Sequence, residues 1–311
     1  MRALAFAARH GRAALVLGLL AGLFLPGLAG ALQPWLPEMV AGLLFLNAYR
    51  IGFRKAAGGL ADGIGTVKAI ALLQIALPLL ALGVASVFGV AQSPAAVALI
   101  LMLSAPSVTG SPNITALMGH APEPAFRLLI LGTALMPLTV VPVFLLAPSL
   151  GDLGDVLRAA GRLIGTIGIT VAAAFLLRRA TLPGLREDQA KAIDGLTVIA
   201  LAVIVVGLMA ALGPALQADP LLVLQWLGFA LAANLGLQVL AFGVLRRRAG
   251  SGAVPVSVVA GNRNFALFLI ALPAATTDPL LIFLGCYQIP MYLTAILMKP
   301  LYGRTELRTG R

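Results

Sequence analysis

The sequence predicts an all-α polytopic membrane protein with ten transmembrane helices in two inverted five-helix repeats. Three observations lead to this fold class. Hydrophobic residues make up 60% of the 311-residue chain and charged residues only 11%, about half the charge of a soluble domain. Apolar runs long enough to span a bilayer recur along the whole length. The loops between these runs carry their basic residues very unevenly.

Ten apolar segments follow one another along the chain, joined by short connections. Their approximate spans are 12–31, 36–51, 67–90, 94–118, 125–147, 160–177, 191–212, 220–245, 254–274 and 279–301. The first segment follows three arginines and leads into small residues, as a cleavable signal peptide does. Its apolar character continues to about Ala31, which favours a retained helix over a cleaved leader.

The basic residues test this count of segments. With the N-terminus in the cytoplasm, 19 of the 22 Lys and Arg residues fall on the inner side. Arg158 and Arg162 fall outside, and Arg263 lies within the ninth segment. This asymmetry predicts ten helices with both termini cytoplasmic. It also assigns the net charge of +11 to membrane topology and not to a nucleic-acid-binding surface. The inner set is Arg2, Arg9, Arg12, Arg50, Arg54, Lys55, Lys68, Arg127, Arg178, Arg179, Arg186, Lys191, Arg246, Arg247, Arg248, Lys299, Arg304, Arg308 and Arg311.

An internal repeat relates residues 1–150 to residues 151–311. The fourth segment contains "GSPNITALMGHAP" and the ninth contains "GNRNFALFLIALP", which share Gly, Asn and Pro at an offset of 151 residues. The two segments occupy equivalent places in two halves of five helices. Because five is odd, the second half is inverted relative to the first, as in inverted-repeat transporters.

Both repeat segments contain helix breakers. Pro106, Gly110 and Pro112 should break the fourth helix near 106–112, and Gly261 should break the ninth. Two discontinuous, crossing helices would expose N–H groups that suit an anion and carbonyls that suit a cation. A proline kink that binds nothing is the alternative. The hydroxyl, amide and guanidinium groups at the breaks are the predicted substrate-binding residues: Thr109, Ser111, Asn113, Thr115, Asn262, Arg263 and Asn264.

Arg263 lies near the predicted bilayer centre, where a charge costs about 3 kcal/mol or more. The candidate acidic partners lie at segment ends and not at this depth; they are Glu38, Asp219 and Asp278. We therefore expect Arg263 to bind either a substrate anion bidentately or a cage of backbone carbonyls.

These motifs resemble the bile acid:sodium symporter family, whose bacterial members include bile-acid and pantoate transporters. The opening "GLFLPGLAGALQPWLPEMVAGLLFLNAYRIG" is similar to that family's first two helices, and "PSVTGSPN" to its Pro-Gly-Gly-Thr-x-Ser-Asn crossover. Residues 259–264 are similar to its Glu-x-Gly-x-Gln-Asn crossover. The resemblance covers most of the chain. It implies ten helices divided into panel and core domains, organic-anion substrates, sodium co-transport and a bacterial inner-membrane location.

The chain departs from the family at the sodium sites. Val259 stands where the family has Glu, and Arg263 where it has Gln. Pro112 interrupts the Ser-Asn pair, so that Asn113 matches the Asn only with one inserted residue. The residues that still resemble ion ligands are Gln74, Asn113 and Thr133. Valine offers no oxygen, and an arginine about 4 Å away repels a cation by roughly 4 kcal/mol at an effective dielectric of 20. The resemblance implies sodium, whereas these residues argue against an intact sodium site.

The sequence thus predicts a secondary active transporter of a small organic anion, a carboxylate, working by alternating access without sodium. Arg263 would serve as a built-in cation.

The first alternative is a sodium symporter with shifted ion sites at Thr109, Ser111, Asn113 and Gln74. An intramembrane enzyme is disfavoured, because the chain has no H-E-x-x-H, no G-x-S-x-G and no pair of mid-membrane carboxylates. A channel or a non-transporting scaffold is the remaining alternative. The expected partners are the anion and the lipid bilayer, with no cofactor, and the lone Cys286 gives no cysteine metal site.

Overall fold

The computed structural model of the chain describes residues 2–53, 63–147, 150–182, 184–247 and 252–303. The first half forms α1 (Arg2–Arg9), α2 (Gly11–Phe24), α3 (Pro26–Leu32), α4 (Leu36–Ile51), α5 (Gly63–Ala71), a π-helical turn (Leu72–Ala76), α6 (Leu77–Val87), α7 (Pro94–Ser104), α8 (Ser111–Leu117) and α9 (Glu123–Leu146). The second half forms α10 (Leu153–Thr181), α11 (Glu187–Leu208), α12 (Leu212–Ala218), α13 (Pro220–Leu245), α14 (Ala253–Gly261), α15 (Phe268–Ala271), α16 (Ala274–Thr277), α17 (Leu281–Leu297) and α18 (Lys299–Tyr302).

Some residues behind the topology prediction lie outside this description. They are Arg54, Lys55, Arg248, Arg304, Arg308 and Arg311, together with the side chains of Arg2 and Arg12. Short 3₁₀ turns complete the described chain at Gln33–Trp35, Phe265–Leu267 and Asp278–Leu280.

The fold is all-α, and it contains helices of membrane-spanning length. Within the described residues no strand forms, and the only sheet-type pairing is one isolated antiparallel bridge between Ser107 and Arg263. Six helices are long and apolar enough to cross a bilayer: Gly63–Val87, Glu123–Leu146, Leu153–Thr181, Glu187–Ala218, Pro220–Leu245 and Ala274–Leu297. A bent pair, Ala3–Arg9 with Ala13–Phe24, would make a seventh if it counts as one span. The predicted class of all-α membrane protein is therefore confirmed.

The other predicted segments form shorter or interrupted helices. The first is divided at Leu25 between α2 and α3, and the second is the 16-residue α4. The fourth and ninth are interrupted as their breakers predict. Six helices are therefore long and apolar enough to cross a bilayer. The arrangement of ten helices in two inverted repeats stays a prediction.

The chain divides into two compact units, each drawing on both halves of the sequence. Unit 1 comprises residues 1–58, 158–225 and 266–285, and unit 2 comprises residues 59–157, 226–265 and 286–311. The predicted repeats at 1–150 and 151–311 rest on sequence symmetry, and the panel and core subdomains are what the family resemblance implies; both stay predictions.

In unit 1, α11 packs against α1, α2, α3 and α4. Glycines allow the close approach, because a Cβ on Gly195 would lie 1.9 Å from the Leu4 carbonyl oxygen and one on Gly22 would lie 2.6 Å from the Met209 Cβ. Small residues at helix contacts are the usual device for close packing in membranes.

Polar contacts fix one end of α4 in the same unit. Arg50 forms a two-point ion pair with Asp194, at 2.7 and 3.2 Å. Arg178 donates through Nη1 to the carbonyls of Tyr49 and Arg50, both at 2.6 Å. These carbonyls belong to the last turn of α4, which has no further intrahelical donors, so Arg178 acts as a C-terminal cap.

Candidate functional site

Two interrupted helices of unit 2 meet at their breaks. The first break comprises residues 105–110, between α7 and α8, and the second comprises residues 262–264, after α14. The Val108 amide donates to the Asn262 carbonyl at 3.0 Å, and the Asn264 amide donates to the Pro106 carbonyl at 2.8 Å. Each break thus supplies the backbone partners that the other lost, as a non-aqueous environment requires.

A third interruption lies in the π-helical turn between α5 and α6. There the Leu77 amide donates to the Leu72 carbonyl, one residue further back than in an α-helix. The Leu73 carbonyl would then need the amide of residue 78, but Pro78 has no N–H. Leu73 is therefore left with a carbonyl that has no donor from its own helix.

The side chain of Arg263 joins these three interruptions. Its Nη2 donates to the Leu73 carbonyl at 3.3 Å, and its Nη1 donates to the Ala105 carbonyl at 3.0 Å. Its Nε donates to the Ala260 carbonyl at 3.0 Å. The natural donor to Ala260 in a continuous helix would be the amide of Asn264, which instead bonds Pro106. Arg263 therefore satisfies one orphan carbonyl from each interrupted element.

The charge of Arg263 is stabilised by dipoles and not by an acid. Only 1% of the residue is exposed, and among the described residues it forms no ion pair. Ala105 is the C-cap of α7, and Ala260 lies in the last turn of α14. Helix C-termini carry partial negative charge, so two of them converge on the guanidinium. Of the two partners predicted for Arg263, the structure contains the carbonyl cage.

Apolar packing surrounds Val259, the residue that precedes the second break by three positions. Val259 is 1% exposed and belongs to a cluster of buried apolar residues from α5, α9, α14 and the π turn: Ile70, Leu73, Ala125, Leu128 and Ala260. Such a cluster offers no ligand to a hard cation. Among the described residues, no three His, Cys, Asp or Glu side chains come together as a metal site.

A set of buried amides and hydroxyls holds the backbone on either side of Arg263. Asn234 Nδ2 donates to the Gly261 carbonyl at 2.7 Å, and the Tyr287 hydroxyl donates to the same oxygen. The Arg263 amide donates to that hydroxyl at 2.9 Å. The Asn262 side chain donates to the Val258 carbonyl at 2.9 Å and accepts from the Thr294 hydroxyl at 3.1 Å. The second break is therefore fixed by α13 and α17.

No protein-family model matches the chain, and no curated protein matches it significantly. The geometry around Arg263 is thus the basis for a functional interpretation.

The predicted substrate-binding residues near the first break differ in exposure. Ser111 is fully buried, and its Oγ has no hydrogen-bond partner among the described residues. Thr115 is buried, and its hydroxyl donates to the Ser111 carbonyl at 2.8 Å. Thr109 is half-buried, and Asn113 is exposed. In the second break Asn264 is half-buried, and its backbone takes part in the pairing of the two breaks.

The two other predicted ion ligands are buried on neighbouring helices. Gln74 lies in the π turn and accepts from the Thr139 hydroxyl at 2.8 Å through Oε1, and Thr133 lies in α9. The sequence did not single out Leu73, Ala105 and Ala260, because they act through their backbones. Pro78 and Pro106 were the available signals, since Pro78 removes a donor from its helix and Pro106 follows the last residues of α7.

Proposed function

We propose that this protein is a secondary active transporter that moves a small organic anion, a carboxylate, across a bacterial inner membrane without sodium. The supporting observation is the Arg263 guanidinium on the carbonyls of Leu73, Ala105 and Ala260. Unwound carbonyls and half-helix C-termini are the groups that bind coupling cations in transporters with discontinuous helices. A tethered guanidinium supplies there the positive charge that a mobile sodium ion would bring.

The proposal includes ten helices in two inverted five-helix repeats, similar to the bile acid:sodium symporter family. Two observations support it. The two interrupted segments are 151 residues apart in equivalent places. Unit 1 contains predicted segments one, two, six and seven. Unit 2 contains the whole of segments three to five and the larger part of each of segments eight to ten. Equivalent segments of the two repeats therefore fall in the same unit. The distribution of basic residues supports cytoplasmic termini.

In this mechanism Arg263 braces the two breaks and contributes its field to the site. The residue is only 1% exposed and donates three hydrogen bonds to backbone carbonyls. These contacts support a role in holding the two breaks together and not in binding the substrate directly. The direct contacts to the anion are then proposed to come from Thr109, Asn113 and Asn264, which are more exposed.

The second candidate is a sodium-coupled symporter with shifted ion sites. One observation favours it: the buried Ser111 Oγ without a partner among the described residues. Together with Thr109, Asn113 and Gln74 it would supply neutral oxygens to an ion. This candidate requires transport that depends on sodium.

A thermal-shift screen with a panel of carboxylates (lactate, pyruvate, succinate, citrate, pantoate and cholate) tests the proposal on purified protein, in sodium and in potassium buffers. The acid with the largest shift is then measured, radiolabelled, as uptake into proteoliposomes. We expect uptake within about twofold in the two buffers. We expect Arg263→Gln to lose at least about tenfold, since a neutral amide cannot replace a buried charge that holds three carbonyls.

Arg162→Gln is the matched control, because Arg162 is an exposed arginine of the predicted outer side. It should transport as the wild type does. Sodium stimulation of tenfold or more would support the symporter instead. Normal uptake by Arg263→Gln would show that the guanidinium has no part in transport.

A further inference from the structure

A chain of hydrogen bonds leads from the C-terminal turn of unit 2 to the second break. The Tyr302 hydroxyl, in α18, donates to Gln238 Oε1 at 3.1 Å. Gln238 Nε2 donates to Asn234 Oδ1 at 2.7 Å, and Asn234 Nδ2 donates to the Gly261 carbonyl at 2.7 Å. All of these side chains are buried. No member is used by the proposed transport mechanism itself.

Each hydrogen bond in this series has a fixed direction from donor to acceptor. Gly261 presents a carbonyl, which can only accept, so Asn234 must turn its NH₂ towards it and its oxygen towards Gln238. Gln238 must then turn its NH₂ towards Asn234, which leaves its own oxygen facing Tyr302. The Tyr302 hydroxyl donates a hydrogen bond to this oxygen of Gln238. A flipped Gln238 would place two carbonyl oxygens face to face, so the donor at Tyr302 favours the orientation of both amides.

A branch of the same network reaches the other side of the break. Gln238 Nε2 also lies 3.2 Å from the Thr294 hydroxyl, which donates to Asn262 Oδ1 at 3.1 Å. Asn262 is the residue whose carbonyl accepts the Val108 amide of the first break. The network therefore contacts both residues that precede Arg263.

The backbones meet where this network ends. A Cβ on Gly261 would lie 2.2 Å from the Asn234 carbonyl oxygen and 2.5 Å from the Gln238 Cγ. The end of α14 thus lies directly against α13 at Asn234 and Gln238. At the other end, the Tyr302 ring packs edge-on against Phe242 with centroids 5.2 Å apart.

We propose that Tyr302 is a positioning residue, which through Gln238 and Asn234 sets the backbone of residues 261–264 and hence the guanidinium of Arg263. The inference rests on the proposed function for its effect on transport, but its structural content stands independently. It links the final turn of the described chain to the candidate site through hydrogen bonds.

Hydrogen–deuterium exchange of the full-length protein tests the proposal on Tyr302→Phe, which keeps the ring and removes the hydroxyl. The amides of Arg263 and Asn264 donate to the Tyr287 hydroxyl and the Pro106 carbonyl, so they report on the break directly. We expect a peptide covering residues 258–268 to exchange about threefold to tenfold faster, with no change over 97–104 in α7. Uptake should show a raised KM with Vmax changed less than twofold.

Tyr292→Phe is the matched control, because the buried Tyr292 hydroxyl has no partner among the described residues. Its exchange should equal that of the wild type. Equal exchange in Tyr302→Phe and the wild type overturns the proposal, as does faster exchange throughout unit 2. If Tyr302→Phe does not fold, Gln238→Met is measured in the same way, and unchanged exchange over 258–268 again overturns it. Faster exchange in a protein that transports none of the panel acids leaves the positioning role intact and contradicts the proposed function alone.

Discussion

Three backbone carbonyls receive the buried charge of Arg263, where a soluble protein would usually place a carboxylate. An unsatisfied buried acceptor costs about 1–3 kcal/mol. Removing the guanidinium would leave three such acceptors on Leu73, Ala105 and Ala260. The arginine and the interruptions are therefore mutually dependent. The free carbonyls at the breaks stabilise the buried guanidinium, and the guanidinium satisfies carbonyls that would otherwise be buried without a donor.

The two glycines of the internal repeat should respond differently to substitution. Gly261→Ala places a Cβ 2.2 Å from the Asn234 backbone oxygen, whereas a Cβ on Gly110 meets nothing within 4 Å. We expect Gly261→Ala to destabilise by roughly 1–3 kcal/mol or more and to abolish transport, while Gly110→Ala, at ordinary helical angles, does neither. Thermal melting and uptake of the two variants provide the measurement. Equal tolerance of both would show that α13 and α14 are not in close contact at Gly261.

At the scale of single residues, the sequence predicted part of the candidate site. It placed Arg263 in a polar break and offered a carbonyl cage as one of two partners, because a mid-span arginine needs many acceptors. It did not identify the acceptors, since a backbone carbonyl has no side-chain signature. The symmetry of the glycines was visible in sequence, but the reason for Gly261 lies in a tertiary contact.

At the scale of elements, prolines account for the interruptions beside two of the acceptors, Leu73 and Ala105. Ala260, in contrast, is free because the Asn264 amide bonds the Pro106 carbonyl. Pro106 follows the C-cap of α7, and Pro78 denies a donor to the π turn. The sequence predicted the breaks near 106–112 and at Gly261, and helices end at Ser104 and Gly261. Pro112 proved to lie in the first turn of α8, where a proline is tolerated. The π turn was not predicted, because its register depends on packing as well as on Pro78.

The cap on α4 supports a prediction for an element of unit 1. Arg178→Met removes two charge-assisted bonds to the carbonyls of Tyr49 and Arg50. Since the site is half-buried, we expect a loss of about 1–2 kcal/mol and, for a chain of 311 residues, an apparent Tm lower by roughly 1.5–3 °C. The neighbouring Arg179, which is exposed, is the control, and Arg179→Met should melt as the wild type does. Identical melting of both variants would contradict the capping role.

At the scale of the whole molecule, composition sufficed for the fold class and the structure added the division of the chain. Hydropathy identified the six long helices, within a few residues at most ends. It could not foresee that residues 266–285 belong to unit 1 while the segments around them belong to unit 2. That assignment depends on long-range packing, for which a single sequence carries no direct signal.

A cation that is part of the polypeptide is never left behind on either side of the membrane. If Arg263 replaces the coupling ion, each turnover carries only the charge of the substrate, and the membrane potential becomes the driving force. One elementary charge crossing 100 mV corresponds to about 2.3 kcal/mol, or roughly a 50-fold concentration ratio. In proteoliposomes clamped with potassium and valinomycin, an interior-negative potential should therefore expel a monovalent carboxylate, and uptake that ignores the potential would contradict this. Under the proposed function, a cell with an interior-negative resting potential would then use such a protein to discharge an acid and not to gather it.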